Sequence, residues 1–318
     1  MKRVLVTGGA GFIGSQLAER YLREGWKVVV VDNLSTGKRK NIHKKVRFYQ
    51  MDIRDKKLSE VFLKEELDLV NHHAAQINVR ISVERPSFDA EVNILGTLNL
   101  LNNCIKHRVN NFIFASSGGA IYGEPEDLPV NEYSQKNPLS PYGISKHVVE
   151  HYLYYCKQNF GLNYISLRYG NVYGPRQDPY GEAGVISIFA QKMLSGKRPS
   201  IFGDGEQLRD YIYVDEVVDV NMLVSEKMEE INKKDVTSPD DLAYNIGTGR
   251  GSSVNLLYKL LCDATGFKED PIYAPPRKGE VKRIYLDTTK AKREINWQSK
   301  ITLSEGLTKT VEWFRDSF

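Results

Sequence analysis

The chain has 318 residues, of which 41% are hydrophobic and 26% charged, and its formal net charge is +4 at pH 7. This length suits roughly two domains with a large buried core. The small net charge excludes a strong electrostatic bias toward nucleic acid or a membrane surface. Its three cysteines form no CxxC pair and do not group with the six histidines at metal-ligand spacing, so we expect reduced thiols and no metal.

Apolar, β-rich runs alternate with helical patterns through the first half of the chain. Continuous runs such as residues 28–31 fit strands that are covered on both faces, and apolar residues recur at helical spacing from Val92 to Ile105. The alternation predicts an α/β fold with a doubly wound, Rossmann-type parallel sheet and right-handed crossovers. The expected strands are Arg3 to Val6, Lys27 to Val31, Val46 to Tyr49, Asp68 to Asn71, Asn111 to Ala115 and Tyr164 to Leu167.

The texture of the sequence changes after about residue 172, where Gly- and Pro-rich segments separate shorter helical patterns. We therefore expect the Rossmann-type domain at 1–172 and a smaller C-terminal α/β domain that covers a substrate at 173–318, with some segments returning to the first domain. The charged stretch from Glu226 to Asp241 is predicted to be a surface loop. No run approaches about 18 apolar residues, and no basic, apolar leader opens the chain, so we expect a cytoplasmic protein without a membrane partner.

A glycine-rich turn follows the first predicted strand and opens a helix. Gly8, Gly11 and Gly14 have a GxxGxxG spacing, which lets backbone approach a pyrophosphate at a helix N-terminus, although a purely structural turn has the same appearance. Asp32 ends the second strand, 18 residues after Gly14, where a carboxylate binds ribose hydroxyls and repels a 2′-phosphate. The turn and the carboxylate favour NAD over NADP.

A basic segment follows this carboxylate and offers the opposite interpretation. Lys38, Arg39, Lys40, Lys44 and Lys45 are either a clamp for a 2′-phosphate or a solvated loop.

Tyr142 and Lys146 stand four residues apart, a spacing that puts both side chains on one face of a helix. The ammonium lowers the pKa of the phenol from about 10 toward the working pH, which makes the phenolate a general base for a hydroxyl proton. Such a pair taken alone is usually a surface pair. Together with the glycine turn and Asp32 it predicts redox chemistry on an alcohol.

Seven motifs along nearly the whole chain together resemble the extended short-chain dehydrogenases/reductases, and within them the UDP-glucose 4-epimerase-like nucleotide-sugar enzymes. The motifs are Thr7 to Gly14, Asp32 to Leu34, Met51 to Asp55, His72 to Gln76, Tyr142 to Lys146, Arg168 to Arg176 and Arg209 to Val214.

The resemblance implies a cofactor site for tightly held NAD. By this likeness Asp52 and Ile53 hold the adenine, and Lys146 binds the nicotinamide ribose as well as tuning the phenol. For Asn93 the alternative to cofactor binding is a locally bonded amide in a helix. His72 and His73 are expected to be structural residues at a strand end rather than metal ligands or acid–base groups. The residues expected at NAD are Gly8, Gly11, Phe12, Ile13, Gly14, Asp32, Asn33, Thr36, Gly37, Asp52, Ile53, Ala74, Ala75, Gln76, Asn93, Tyr142, Lys146 and Tyr169.

The same resemblance implies a substrate site for a UDP-sugar. Arg209 and Arg277 are expected on the diphosphate, because a guanidinium is a planar, bidentate partner for phosphate oxygens. The other expected contacts are Asn171 on the substrate, Val185 near the nucleotide, Ile201 and Phe202 beside the uracil, and Glu280 on the ribose. The expected partners are thus a UDP-sugar and a second copy of the chain in a homodimer, with no nucleic acid.

The implied reaction is that of an isomerase, in which a UDP-hexose, UDP-glucose or UDP-galactose, is inverted at C4 through a transient 4-keto sugar. Dehydratases and decarboxylases of nucleotide sugars begin with the same oxidation, but their relatives carry an acid shortly before the Tyr-Gly of the loop, and none precedes Tyr122. UDP-N-acetylglucosamine and UDP-glucuronate remain alternative substrates, since Ile284 is intermediate in size at a gating position. A non-catalytic NAD-binding regulator is a further alternative.

Gly118 is a departure from the family pattern. Epimerases of this kind usually place a Ser or Thr at that position, whose hydroxyl bonds the reacting sugar oxygen. Losing such a donor can cost about 10²–10³ in rate. Ser116, Ser117 or a water molecule are the candidate replacements, and we take Ser117 as the catalytic candidate beside Tyr142 and Lys146.

Overall fold

The computed structural model describes residues 1–180, 184–276 and 281–317. Its strands, in chain order, are β1 Arg3–Thr7, β2 Lys27–Asp32, β3 Arg47–Gln50, β4 Leu69–His72, β5 Asn111–Ser117, β6 Asn163–Tyr169, β7 Asn171–Tyr173, β8 Ser200–Phe202, β9 Leu208–Arg209, β10 Tyr211–Tyr213, β11 Ala243–Ile246, β12 Ser252–Ser253, β13 Ile272–Ala274 and β14 Arg283–Ile284.

The helices cover the faces of these strands and connect them. They are α1 Phe12–Arg23, α2 Leu58–Glu65, α3 Val79–Glu84, α4 Pro86–Ala90, α5 Gly96–His107, α6 Pro141–Phe160, α7 Val185–Leu194, α8 Val214–Glu226, α9 Met228–Ile231, α10 Val254–Thr265, α11 Thr289–Ile295 and α12 Leu303–Ser317. A π-helical turn at Glu91–Leu95 precedes α5, and short 3₁₀ turns lie at Arg39–Asn41 and Pro239–Leu242. No helix in the described parts of the chain is long and apolar enough to cross a membrane.

Seven parallel strands form the central sheet in the order β11-β6-β5-β4-β1-β2-β3. The predicted Rossmann-type fold is confirmed, and six of the seven strands lie within two residues of their predicted bounds. Strand β11 was not predicted, because its four residues lie beyond residue 172, where strand and helix patterns no longer alternate. It joins the sheet edge beside β6, far along the chain.

A second, smaller apolar core lies outside the central sheet. Helices α7, α10 and α12 build it with two small sheets, in which β7 pairs with β10 and β8 with β13. A third small sheet pairs β9 with both β12 and β14, and Ile284 of β14 belongs to a separate apolar cluster. Helix α8 and strand β11, although they come later than residue 172, pack into the core of the central sheet. The chain therefore returns to the first core between the elements of the second.

The segment from Glu226 to Asp241, predicted as a surface loop, is partly built into the interior. Met228 and Ile231 of α9 are buried, and Asp240 forms an ion pair with the fully buried Arg168. The prediction of a solvated loop is wrong for these residues, because they cover apolar surface and neutralise a buried cation.

Arg168 of β6 is the centre of a buried polar network. Its guanidinium donates to both carboxylate oxygens of Glu150 on α6, at 2.9 and 2.7 Å, and to Asp240 at 2.6 Å. It also donates to the carbonyl oxygen of Glu132 at 2.8 Å and to the Tyr122 hydroxyl at 3.0 Å. The network fixes α6, the helix that carries Tyr142 and Lys146, against the sheet.

An Arg168→Ala variant should lose about 3–5 kcal/mol of unfolding free energy, because removing one partner leaves the Glu150 carboxylate buried and uncompensated. Arg20→Ala is the matched control, since Arg20 pairs with Glu24 and Asp219 at the surface, where an ion pair contributes about 0–1 kcal/mol. Guanidinium unfolding followed by circular dichroism measures both. Equal losses in the two variants would contradict this account of the network.

Candidate functional site

The predicted cofactor residues gather at the carboxyl edge of the central sheet. The glycine turn follows β1, Asp32 ends β2, the segment 73–76 follows β4, and Tyr169 ends β6. Strands β1 and β4 are neighbours in the middle of the sheet, where the strand order reverses. In open parallel sheets this switch point forms a crevice for ligands.

Close backbone contacts require glycine at two positions of the turn. Gly8 has a φ of +68°, and a Cβ there would lie 2.7 Å from the backbone nitrogen of Ala74. A Cβ on Gly14 would lie 2.3 Å from the carbonyl oxygen of Gly8. Helix α1 begins at Phe12, so the turn leaves the helix N-terminus open to an anion, and this geometry fits a dinucleotide pyrophosphate.

The Asp32 carboxylate is fixed by the backbone around it. Its oxygens accept hydrogen bonds from the N–H groups of Ala10 at 2.9 Å and Leu34 at 2.8 Å. Each carboxylate oxygen has a further lone pair, so the group can still accept from ribose hydroxyls. Thr36 and Gly37 lie in the loop that follows, and a Cβ on Gly37 would lie 2.7 Å from the Ala10 side chain.

Two members of the alternative basic clamp have other partners. Lys38 forms a 2.8 Å ion pair with Asp178, and the Arg39 guanidinium lies 4.6 Å from the centre of the Phe48 ring. These contacts favour the interpretation of the segment as a loop that packs on its neighbours.

The Asp52 carboxylate, expected at the adenine, lies beyond β3. Arg54 donates to both of its oxygens at 2.9 Å, and hydrogen bonding from Arg54 lowers the pKa of Asp52 to about 2. Asn33 donates to the same carboxylate at 2.9 Å, and the Ile53 side chain is buried beside it. Asn33 and Asp52, both expected at NAD, are therefore in direct contact.

Asn93 is buried in the π-helical turn and holds the segment after β4. Its amide oxygen accepts from the Gln76 N–H at 2.8 Å, and its amide nitrogen donates to the Gln76 carbonyl oxygen at 2.9 Å. Ala74 is fixed separately, because its N–H donates to the Thr7 hydroxyl at 3.2 Å. Together these bonds set the path of the backbone through Ala74, Ala75 and Gln76.

His72 and His73 have structural partners in the interior. The His72 ring bridges the hydroxyls of Thr7 at 2.7 Å and Thr97 at 2.9 Å, and His73 Nε2 lies 3.2 Å from the Tyr169 hydroxyl. Burial lowers the pKa of His72 well below its ordinary value and that of His73 to about 3. Both rings are therefore neutral at neutral pH.

Tyr142 and Lys146 occupy the first two turns of α6. The helix begins at Pro141, and the Ser140 side chain caps it by accepting from the Gly143 N–H at 3.2 Å. Lys146 is only 5% exposed; its ammonium donates to the Ala115 carbonyl oxygen at 2.8 Å and lies 5.8 Å from the centre of the Tyr142 ring. Burial lowers the pKa of Lys146 to about 8, and nearby carboxylates oppose that shift.

A cavity of about 610 Å³ lies between the two cores. Tyr142 and the glycine-turn residues Phe12 and Ile13 line it from one side, while the second core supplies the other side. Within the described residues the lining includes the cations Arg209 and Lys192 and no Asp or Glu. The predicted substrate residues found in this lining are Asn171, Val185, Ile201, Phe202 and Arg209.

Lys192 and Gln207 line the cavity but were not among the predicted site residues. Lys192 lies on α7, seven residues after Val185, so the two share a helix face. That spacing was a readable signal for Lys192. Gln207 offered none, because it stands in an irregular segment between β8 and β9.

Arg209 is partly committed to its own backbone surroundings. Its guanidinium donates to the carbonyl oxygens of Leu208 at 2.9 Å and Val281 at 2.5 Å. These bonds fix the arginine at the cavity wall. The predicted residues Arg277 and Glu280 lie outside the described residues.

Two serines precede Gly118, and the structure separates them. Both serines line the cavity, but the Ser116 hydroxyl is buried and donates to Glu150 at 2.7 Å, whereas Ser117 is partly exposed. A Cβ on Gly118 would lie 2.6 Å from the Leu286 side chain and 3.1 Å from the Arg168 carbonyl oxygen. A side chain at position 118 would therefore require the buried Leu286 side chain to shift. Ser117 stays the predicted catalytic serine.

The gating position, Ile284, is buried in a small apolar cluster with Ile121, Tyr122, Val130 and Leu286. Its side chain therefore gives no direct reading of which sugar the cavity accepts.

The fold and the site define a nucleotide-binding enzyme of the extended short-chain dehydrogenase/reductase class. The chain belongs to the NAD dependent epimerase/dehydratase family, whose sequence pattern matches residues 4–247.

Individual relatives cover nearly the whole chain. A crystal structure of UDP-glucose 4-epimerase with UDP-glucose from Thermotoga maritima is 48% identical, with a TM-score of 0.93 over 99% of both chains. The Thermus thermophilus UDP-glucose 4-epimerase complex with NAD is 43% identical, with a TM-score of 0.90 over 99% of this chain and 100% of that one. The UDP-glucose 4-epimerase of Mycolicibacterium smegmatis is 40% identical over 99% of each chain.

Replacing Gly118 with Ser should lower stability by about 1–3 kcal/mol without increasing activity, because the new Cβ overpacks against Leu286. The Gly118→Ser/Leu286→Ala double variant tests the steric cause, since its smaller side chain makes room for the serine. Thermal unfolding and turnover are measured on both variants. A rise in turnover for Gly118→Ser alone would show that a hydroxyl is missing at this position.

Proposed function

We propose that this protein catalyses the NAD-dependent epimerisation of a UDP-hexose at C4, with UDP-glucose and UDP-galactose as its substrates. The observation that carries the proposal is one cavity lined by Tyr142, Ser117 and Arg209 that also reaches Phe12 and Ile13 at the glycine turn. A proton acceptor, a hydroxyl donor and a phosphate-binding cation thereby meet the edge of a dinucleotide site. The relatives named UDP-glucose 4-epimerase support the same activity.

The glycine turn and Asp32 would hold NAD, since the turn admits a pyrophosphate and the carboxylate presents acceptors for ribose hydroxyls. When bound, NAD supplies an acceptor and donor of hydride for C4 of the sugar. The segment of Ala74, Ala75 and Gln76 would border it, with Asn93 holding that segment in place. Lys38 and Asp178 join the loop after β2 to the segment after β7, which helps to enclose the bound molecule.

Tyr142 would take the proton of the sugar 4-hydroxyl and return it after the sugar has turned over. The buried ammonium of Lys146 favours the phenolate by its charge. Ser117 would donate a hydrogen bond to the sugar oxygen, the role that Gly118 cannot fill. Each of these groups comes from the end of β5 or the start of α6, so rigid elements hold them in register.

The nucleotide would be held by the second core. Arg209 and Lys192 offer positive charge to the diphosphate, and Ile201, Phe202 and Val185 offer apolar surface to the uracil and its surroundings. Arg277 and Glu280 stay predicted members of this set. When binding energy is concentrated on the UDP, the hexose is free to present either face to the cofactor.

A nucleotide-sugar dehydratase is disfavoured by the chemistry of the cavity. Elimination of water needs an acid–base pair beside the sugar, and the described residues that line the cavity include no carboxylate. UDP-N-acetylglucosamine and UDP-glucuronate epimerisation stay as alternatives on the same machinery, because Ile284 does not decide between them.

We propose further that two copies associate through α5 and α6 and that the protein works in the cytoplasm. Helix α6 exposes Ile144, Tyr152 and Tyr155, which form an apolar surface suited to a partner helix. All three cysteines are free thiols, which suits a reducing compartment.

Purified protein should convert UDP-galactose to UDP-glucose without added NAD, because hydride returns to the sugar and the cofactor is regenerated in each cycle. Product is measured by chromatography, with UDP-N-acetylglucosamine and UDP-glucuronate assayed in parallel. Cofactor content is measured after denaturation, and NAD is restored if it is low. Absence of conversion by cofactor-replete protein for every UDP-sugar would sink the epimerase proposal.

Tyr142→Phe should lower kcat by about 10²–10⁴, the usual contribution of a positioned general base, while a sensor without catalysis would keep its ligand response. Ser117→Ala should lower kcat by about 10²–10³ through loss of the hydroxyl donor. Tyr273→Phe is the control, because it makes the same change on an exposed tyrosine of β13 that does not line the cavity. Steady-state kinetics on UDP-galactose compare the three; wild-type kcat in Tyr142→Phe would exclude its role as base.

A further inference from the structure

Asp89 is a fully buried carboxylate that the predicted chemistry does not use. It lies in α4 at 0% exposure, near the amino-terminal half of α6. One oxygen accepts from Gln76 Nε2 at 2.9 Å and Asn93 Nδ2 at 3.0 Å, and the other accepts from the Ser145 hydroxyl at 2.7 Å. All three donors are neutral, and no Lys or Arg among the described residues forms an ion pair with it.

These hydrogen bonds join the two halves of the reaction site. Ser145 directly precedes Lys146 on α6, whereas Gln76 belongs to the segment after β4 that would border the cofactor. Asn93 strengthens the link, because it binds Asp89 and both backbone polar groups of Gln76. A displacement of α6 along its axis would therefore break bonds to the cofactor segment.

The charge of Asp89 also acts on Lys146. Burial lowers the pKa of Lys146, and Asp89 is the leading group that opposes this shift, followed by Glu150 on α6 itself. Glu150 is already neutralised by two hydrogen bonds from Arg168. Unlike Glu150, Asp89 has no ion pair with a Lys or Arg among the described residues.

Apart from the Tyr142 phenol itself, the remaining titratable groups around Lys146 add no negative charge at neutral pH. His72 faces it from the end of β4 and His73 from the next residue, and burial keeps both rings neutral. The Tyr142 phenol faces it from the preceding turn of α6. Strand β5 contributes the carbonyl oxygen of Ala115 and the Phe114 ring, which lies 4.8 Å from the ammonium.

We propose that Asp89 is a positioning residue for the epimerisation, which joins α6, through Ser145, to the cofactor segment at Gln76 and supplies negative charge near Lys146. The inference rests on the proposed function, since it acts through Lys146 on Tyr142. A buried charge costs free energy unless it is compensated, and three hydrogen bonds together with the nearby ammonium compensate the Asp89 carboxylate.

Asp89→Asn removes the charge and keeps the shape, because the Asn oxygen still accepts from Gln76 and Asn93 while the Ser145 hydroxyl turns to accept from the new amide. Loss of the carboxylate lowers the pKa of Lys146. The alkaline limb of the kcat–pH profile should then move down by about one to two pH units, since a nearby opposite charge shifts a pKa by about 1–3 units. KM for UDP-galactose should stay within about twofold of the wild-type value.

Ser145→Ala is the matched control, since it removes one hydrogen bond of Asp89 and keeps its charge. The alkaline limb of its kcat–pH profile should stay at the wild-type position, because the charge is kept, and any fall in kcat reports the loss of the link between α6 and the cofactor segment. Asp89→Glu keeps the charge at a different length, so its alkaline limb should stay at the wild-type position even where kcat falls. Asp89→Ser supplies a second neutral variant in case Asp89→Asn does not fold.

The same comparison is made without turnover by nuclear magnetic resonance of [ε-¹³C]lysine-labelled protein, with the Lys146 signal assigned by its absence in Lys146→Arg. A lower pKa of Lys146 in the neutral variants supports the inference. An unchanged pKa of Lys146 together with an unchanged pH profile would overturn it. If only Asp89→Glu is recovered in folded form, the charge serves folding alone and the inference is also overturned. An inactive wild type would contradict the proposed function, and the resonance titration would still decide the role of Asp89.

Discussion

The buried ammonium of Lys146 is the constraint on which much of this structure depends. A cation removed from water loses its hydration, and dipoles and opposite charges in the protein must compensate for that loss. The Ala115 carbonyl oxygen supplies the direct hydrogen bond, and Asp89 and Glu150 supply negative charge. Both carboxylates are themselves buried, so each needs hydrogen-bond or ion-pair partners of its own.

The partners of these two carboxylates come from parts of the chain that are distant in sequence. Glu150 requires Arg168 on β6, and Arg168 in turn requires Asp240, which lies 72 residues further along the chain. Asp89 requires amide donors from Asn93 and from the segment after β4. The polar interior therefore acts as a scaffold that holds α6, β5 and β6 in one arrangement, and with them the phenol of the proposed reaction.

The division into two cores places different tasks on different sides of the cavity. Tyr142 and Ser117 come from the central sheet and a helix packed on it, whereas Phe202 and Lys192 come from β8 and α7 of the second core and Arg209 from the short strand β9. Charge and apolar surface for the nucleotide thus lie opposite the proton-transfer groups. In the proposed reaction this arrangement would hold the UDP firmly while the sugar turns over, as inversion at one carbon through a ketone requires.

The sequence by itself determined the features that depend on local spacing. Strand and helix periodicity predicted six parallel strands, and short-range patterns identified the glycine turn, Asp32 and the Tyr142–Lys146 pair. These signals are readable because backbone geometry alone places residues four apart on one helix face and residues at strand ends on one sheet edge. The resemblance to a family then indicated the substrate side, including Asn171 and Arg209.

Only the tertiary structure decided the features that depend on contacts between distant segments. Strand β11 lies where the sequence shows no alternating pattern, so only its pairing with β6 identifies it as part of the sheet. The charged segment around Asp240 has the sequence of a solvated loop, and only the ion pair with the buried Arg168 shows that it is part of the interior. Only the position of Glu150 shows that the Ser116 hydroxyl is already hydrogen-bonded, which favours Ser117 as the proposed donor to the sugar. The proposed role of Asp89 likewise depends on three hydrogen-bond donors from separate elements. Burial and partners are properties of the assembled fold, so no local pattern encodes them.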